Sequence, residues 1–131
     1  MSLARARLGR RAEAHARAHL EAAGLTFVTR NWKAPPHPHQ GGHGGELDLV
    51  MRDGPVLVIV EVRASAGPHP FAGGAAYTIG PLKQRRLVQL AQLFMQQHRE
   101  LPKTLRFDVV TLTKRGLWAW DVRWYRNALS A

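Results

Sequence analysis

Three carboxylates interrupt two otherwise apolar runs. Glu46 and Asp48 lie in Gly45-Glu46-Leu47-Asp48-Leu49-Val50, and Glu61 in Val58-Ile59-Val60-Glu61-Val62-Arg63. An unpaired buried carboxylate is costly, so such groups meet a cation, often a metal ion. The runs alternate as strands do, and Arg52-Asp53-Gly54-Pro55 between them carries the Asp-Gly signal of a hairpin. With Asp53-Gly54 as the two-residue loop, Arg52 pairs with Pro55, Asp48 with Ile59 and Glu46 with Glu61. Glu46, Asp48, Glu61 and Arg63 then share one face, and Leu47, Leu49, Val58, Val60 and Val62 the other. Asp48 and Glu61 become diagonal neighbours with Cβ atoms about 7–8 Å apart. From that spacing they can bracket one Mg²⁺ (or Mn²⁺) at ligand distances of about 2.0–2.1 Å. A four-residue loop keeps the facing. A three-residue loop destroys it, because a one-residue slip turns every side chain over. The competing account pairs Glu61 with Arg63 or Arg30 and leaves Glu46 in solvent; three acids on one face favour the metal.

The rest of the chain is basic. A formal charge of +10 and a pI near 11.4 point to a polyanionic partner. Nucleic acid leads, DNA ahead of RNA, with an anionic membrane surface second. No run approaches the roughly 20 apolar residues that span a bilayer, and the start, Met1-Ser2-Leu3-Ala4-Arg5-Ala6-Arg7, lacks the apolar core of an export signal. Without cysteine there is no disulfide framework, zinc ribbon or thiol chemistry. A cytoplasmic protein with no membrane partner is expected.

The elements that must position the acids follow from periodicity. Residues 4–23 read as a helix whose stripe is Leu8, Ala12, Ala16, Leu20 and Ala23, with Glu13 at its edge and Gly24 as the stop. Leu25–Trp32 reads as a strand, and residues 34–45 as a proline-, histidine- and glycine-rich loop. The two acidic strands come next; Val56–Val60 is apolar throughout, as in a central strand covered on both faces. Glu61 and Arg63 therefore stand where that strand reaches its open end, a usual place for ligand sites. A second glycine/proline-rich loop spans residues 64–80. Pro81 opens a helix to about His98 with Leu87, Leu90, Ala91 and Phe94 as its stripe. Leu105–Leu112 and Leu117–Trp124 are strands joined by a turn at Thr113–Gly116. The order helix, three strands, helix, two strands describes one α/β domain over residues 1–131, a small mixed sheet between helices.

Several other residues invite function. Lys83, Arg85 and Arg86 occupy the first turn of the second helix, where the dipole disfavours cations and rewards bound phosphate. Phosphate contact is preferred to a merely solvated turn. Glu13 has Arg17 four residues on, a pairing that needs no function. His37, His39 and His43, like His15 and His19, are read as solvated rather than metal-bound. Trp118, Trp120 and Trp124 alternate on one face of the last strand; packing against a helix or a second subunit is preferred to stacking on bases. Asp108 reads as a strand residue paired with an arginine.

The acidic strands resemble the D…(D/E)-x-K signature of restriction-endonuclease-like nucleases. More closely, the chain resembles the YraN-like family of small bacterial proteins with that fold. Gly9-x-x-x-Glu13-x-x-Ala16, Arg30-Asn31-Trp32, Lys83-Gln84-Arg85-Arg86-Leu87 and Arg106-Phe107-Asp108-Val109-Val110 add to the match, which runs from about Arg7 to Val122. The resemblance implies a three-layer core with a central mixed five-stranded sheet flanked by helices. It also implies metal ligation by Asp48 and Glu61, a contributing acid at Glu13, and Mg²⁺-dependent phosphodiester hydrolysis. Related nucleases often pair as homodimers. Where that signature has lysine, this chain has Arg63. Arginine keeps the positive charge for transition-state stabilisation, but with a pKa above about 12 it cannot handle a proton. Two alternatives follow: a binding module whose chemistry is lost, or a basic scaffolding protein whose acids satisfy arginines.

Overall fold

The computed structural model describes residues 3–35, 45–65 and 79–129. The loop histidines His37, His39 and His43 lie outside them. Seven elements follow in order: α1 (Leu3–Ala22), β1 (Thr26–Lys33), β2 (Glu46–Asp53), β3 (Val56–Ser65), α2 (Pro81–Gln97), β4 (Thr104–Arg115) and β5 (Ala119–Tyr125). The five strands form one mixed sheet in the order β1-β2-β3-β4-β5, with only the β3–β4 pair parallel. A parallel pair needs a crossover, and α2 lies within that connection. The result is the expected α/β core of three layers, α1 and α2 on opposite faces of the sheet.

Why these segments form these elements is clear at their ends and faces. The α1 helix stops at Gly24, whose φ of +103° suits glycine alone, while Leu25 N–H returns to Leu20 O at 3.1 Å. Pro81 enters α2 at its first turn, where a missing N–H costs nothing. Leu87, Leu90, Ala91 and Phe94 of α2 pack on Val50, Leu57, Ile59 and Val109. On the opposite face Ala12, Ala16 and Leu20 of α1 meet Leu49, Met51, Val58, Val60, Val110 and Leu112. Each fully buried leucine or phenylalanine contributes about 1.5–3 kcal/mol. Because β3 is central, its apolar run feeds both cores.

The β2–β3 register differs from the one expected. Asp53 pairs with Val56, Met51 with Val58 and Leu49 with Val60, so the loop is Gly54-Pro55 rather than Asp53-Gly54. Proline has no N–H to give a ladder and goes to the turn, and Gly54 takes the φ of +56°. The displacement is two residues, so Leu49 to Asp53 keep the facing expected against β3. The paired register ends at Leu49↔Val60, one residue short of Asp48 and Glu61. Leu47 departs from the expected alternation: it packs in the cluster that holds α2, while Leu49 packs in the one that holds α1. Similarly, β4 runs on to Arg115, which moves the last hairpin turn to Gly116-Leu117-Trp118.

Candidate functional site

Four acids from three elements meet at the margin where β2 begins and β3 nears its end. Asp48 is their hub. Glu13 of α1, Glu46 and Asp48 each offer an oxygen, and these atoms all lie within 4.8 Å of one another. Among the described residues this is the group of carboxylates close enough to share an ion. Glu61 is buried, its side chain 8% exposed, and Lys83 Nζ from α2 donates to Glu61 Oε1 at 2.7 Å. The competing account gave Glu61 an arginine; the cation that reaches its Oε1 at this distance is a lysine 22 residues away.

The residue that ties the acids together is Asn31, noted in the sequence only as part of a family match. It lies on β1 between the pairs Arg30↔Leu49 and Trp32↔Leu47, across from Asp48. Its φ of +51° is a left-handed conformation that asparagine tolerates better than most side chains. One Nδ2 donates to Glu13 Oε1 and Oε2 at 3.1 and 3.0 Å, and to Glu46 Oε1 at 2.7 Å. An amide between two carboxylates holds them near each other without neutralising either. Arg17, the alternative partner of Glu13, pairs instead with Glu21 at 3.3 Å and stacks on Phe27.

Two of the acids hold their protons more tightly than free carboxylates do. Burial first, then the Glu61 charge, push the Asp48 carboxyl up to about 7. Glu13 pushes the same way; the Val62 N–H, donating to Asp48 Oδ2 at 3.0 Å, and Lys83 act against it. Glu13 is raised as well, by burial above all and by Glu46 and Glu61, with Asn31 and Arg30 opposing.

Two cavities flank Asp48. A cleft of about 300 Å³ on the α2 side is lined by Glu46, Asp48, Glu61, Lys83 and Arg86. A second, of about 200 Å³, opens on the α1 side beside Gly9, Glu13 and Val62. Gly45 borders the first; a Cβ there would come 3.0 Å from Leu90 Cδ1, and its φ is +74°, so glycine is what lets β2 start this close to α2. Of the basic turn, Lys83 and Arg86 reach the cleft, while Arg85 is exposed and does not line it. Arg63 is half-buried on β3, level with Thr111. A larger open hollow of about 460 Å³ at the other end of α2 is lined by no carboxylate.

The remaining candidates resolve into structure. Asp108, fully buried, accepts two bonds from Arg106, at 3.0 Å each, one from Trp124 Nε1 at 2.9 Å and one from Asn127 N–H at 2.9 Å. It is the arginine-paired strand residue the sequence implied. His15 and His19 lie against Trp120 and Trp124. Among the described residues no helix is long and apolar enough to cross a membrane.

Residues 12–112 match the model of uncharacterised protein family UPF0102. A UPF0102 protein of Stutzerimonas stutzeri is 44% identical over 94% of both chains. One from Xanthomonas campestris pv. campestris is 49% identical over 84% of this chain and 83% of its own. One from Herminiimonas arsenicoxydans is 37% identical over 98% of this chain and 90% of its own. The matches bear out the small bacterial family that the sequence resembles.

Proposed function

Taking as premise that this chain belongs to uncharacterised protein family UPF0102, we propose that it binds nucleic acid and hydrolyses phosphodiester bonds with a divalent cation at Asp48. The observation that supports this reading is the convergence of Glu13, Glu46 and Asp48 within 4.8 Å, in a chain whose net charge is +10. The donor set fits the cation: hard carboxylate oxygens are what Mg²⁺ and Mn²⁺ take. Asp48, Glu13 and Glu46 would hold the ion, with Glu61, the partner expected from the sequence, adjoining. Bound there, the ion supplies Lewis-acid polarisation of the phosphate and a more acidic water.

The chain's own groups do the rest. Asn31 fixes the spacing of Glu13 and Glu46. Lys83, anchored on Glu61 and half exposed to the cleft, stabilises the charge that develops on the phosphate oxygens. A lysine can give up a proton where an arginine cannot, so Lys83 takes the part of the lysine absent from β3. Arg63 adds fixed positive charge. Lys83 in the first turn of α2 and Arg85 and Arg86 in the second, all exposed, contact backbone phosphates, DNA being put ahead of RNA.

A second reading has one observation in its favour. Arginine at position 63 in place of lysine fits a module that binds nucleic acid without cutting it. Purified protein incubated with supercoiled, branched and single-stranded DNA and with RNA, in Mg²⁺ or Mn²⁺, separates the two. Cleavage that EDTA and Asp48→Ala abolish, with binding retained, is expected. Tight binding without cleavage in either metal would leave the module, and no binding at all would end both.

A further inference from the structure

The loop Gly116-Leu117-Trp118 closes the β4–β5 hairpin beyond the pair Arg115↔Ala119. Leu117 is 71% and Trp118 90% exposed, the most exposed large hydrophobic side chains among the described residues. The other tryptophans of this hairpin behave differently: Trp120 and Trp124 pack with the α1-side core and against His15 and His19. Trp118 is thus the one of the three that the helix layer does not cover. Its charged surroundings are uneven. Asp121 is shared by Arg115 at 3.9 Å and Arg123 at 3.8 Å, both guanidinium groups mostly exposed, and Lys114, level with Trp120, stands on the other face of the hairpin. One carboxylate among three cations leaves the tip positive.

Register places this tip relative to the acids. β4 runs parallel to β3 with Val109 level with Glu61, so the hairpin projects past the same margin of the sheet. Arg115 is six residues beyond Val109, about 20 Å at ~3.3 Å per residue. That span matches about six stacked nucleotides at ~3.4 Å each. An indole on a cationic tip offers what a single strand needs, a stacking platform for a base and partners for its phosphates.

We propose that the β4–β5 hairpin tip is a nucleic-acid-binding element. Trp118 stacks on an unpaired base, and Lys114, Arg115 and Arg123 contact the neighbouring phosphates. The inference rests on the proposed polyanionic partner, and it holds whether or not the site at Asp48 cuts. The test is fluorescence anisotropy of a labelled single-stranded oligonucleotide of about 20 nucleotides, titrated with full-length protein at several salt concentrations. Trp118→Ala weakens binding about ten-fold, Trp118→Phe far less, and Lys114→Ala and Arg115→Ala each flatten the log–log salt slope by about 0.7. Because Trp118 is exposed, these variants keep the wild-type melting temperature. Wild-type affinity in Trp118→Ala overturns the inference and leaves the proposed function standing, as does a wild-type protein that binds duplex but no single strand; one that binds neither overturns both. A Trp118→Ala change that only dissociates a dimer, or only releases anionic vesicles, assigns the tip to self-association or to lipid and overturns it too.

Discussion

Lys83 on α2 and Glu61 on β3 meet at 2.7 Å, so a helix brings a lysine to the acid that β3 follows with Arg63. The pair gives the proposed chemistry a cation able to move a proton. Lys83→Met should lower cleavage by about 10²–10³-fold. Metal affinity should change far less, and Lys83→Met/Arg63→Lys should recover part of the lost rate. The check is single-turnover cleavage beside metal titration of the same variants. Unchanged cleavage in Lys83→Met would return the cation's role to Arg63.

Asp48 makes the metal-free fold sensitive to pH. Its carboxyl is raised from 3.8 to about 7, so the folded chain binds that proton more tightly than the unfolded chain does. The associated stability is fully present below about 4 and is lost as pH rises through about 7. Asp48→Asn carries no charge to bury and keeps an oxygen for the Val62 N–H. At pH 8 without metal it should be more stable than wild type by on the order of 2 kcal/mol, and near pH 4 the two should converge. Thermal unfolding at both pH values reads this out, and saturating Mn²⁺ should favour wild type only.

Asp108 should matter for folding and for nothing at the cleft. Its carboxylate satisfies Arg106, Trp124 Nε1 and the Asn127 N–H in a buried setting, while Arg106 also reaches Asp53 at 3.0 Å. Asp108→Ala strands all three donors and should cost about 3–5 kcal/mol. Urea unfolding measures the loss. The Mn²⁺ affinity of the folded fraction should stay at the wild-type value.

These relationships were unequally legible in the chain. The stripe of α2 could be read because helical spacing and burial coincide at Leu87, Leu90, Ala91 and Phe94. Asp48 and Glu61 line one cleft despite an error in register, because the error was even. Proline at position 55, which cannot serve a ladder, was the sign that the turn lay one residue later. The Lys83–Glu61 contact joins residues 22 apart across a crossover, and no local pattern encodes that distance. Asn31 was hidden for a different reason: its positive φ and its hold on Glu13 and Glu46 depend on α1 and β2 arriving at the same place. Trp118 left its strand because β4 continues to Arg115, three residues past the expected end at Leu112.

The account's central claim is that acids on α1 and β2 converge on one divalent ion. Anomalous scattering from crystals grown with Mn²⁺ tests it most directly. The expected result is a peak coordinated by Asp48 together with Glu13 or Glu46, absent from crystals of Asp48→Ala. Density that shows those carboxylates without an ion at saturating Mn²⁺, or places the ion away from Asp48, would contradict it.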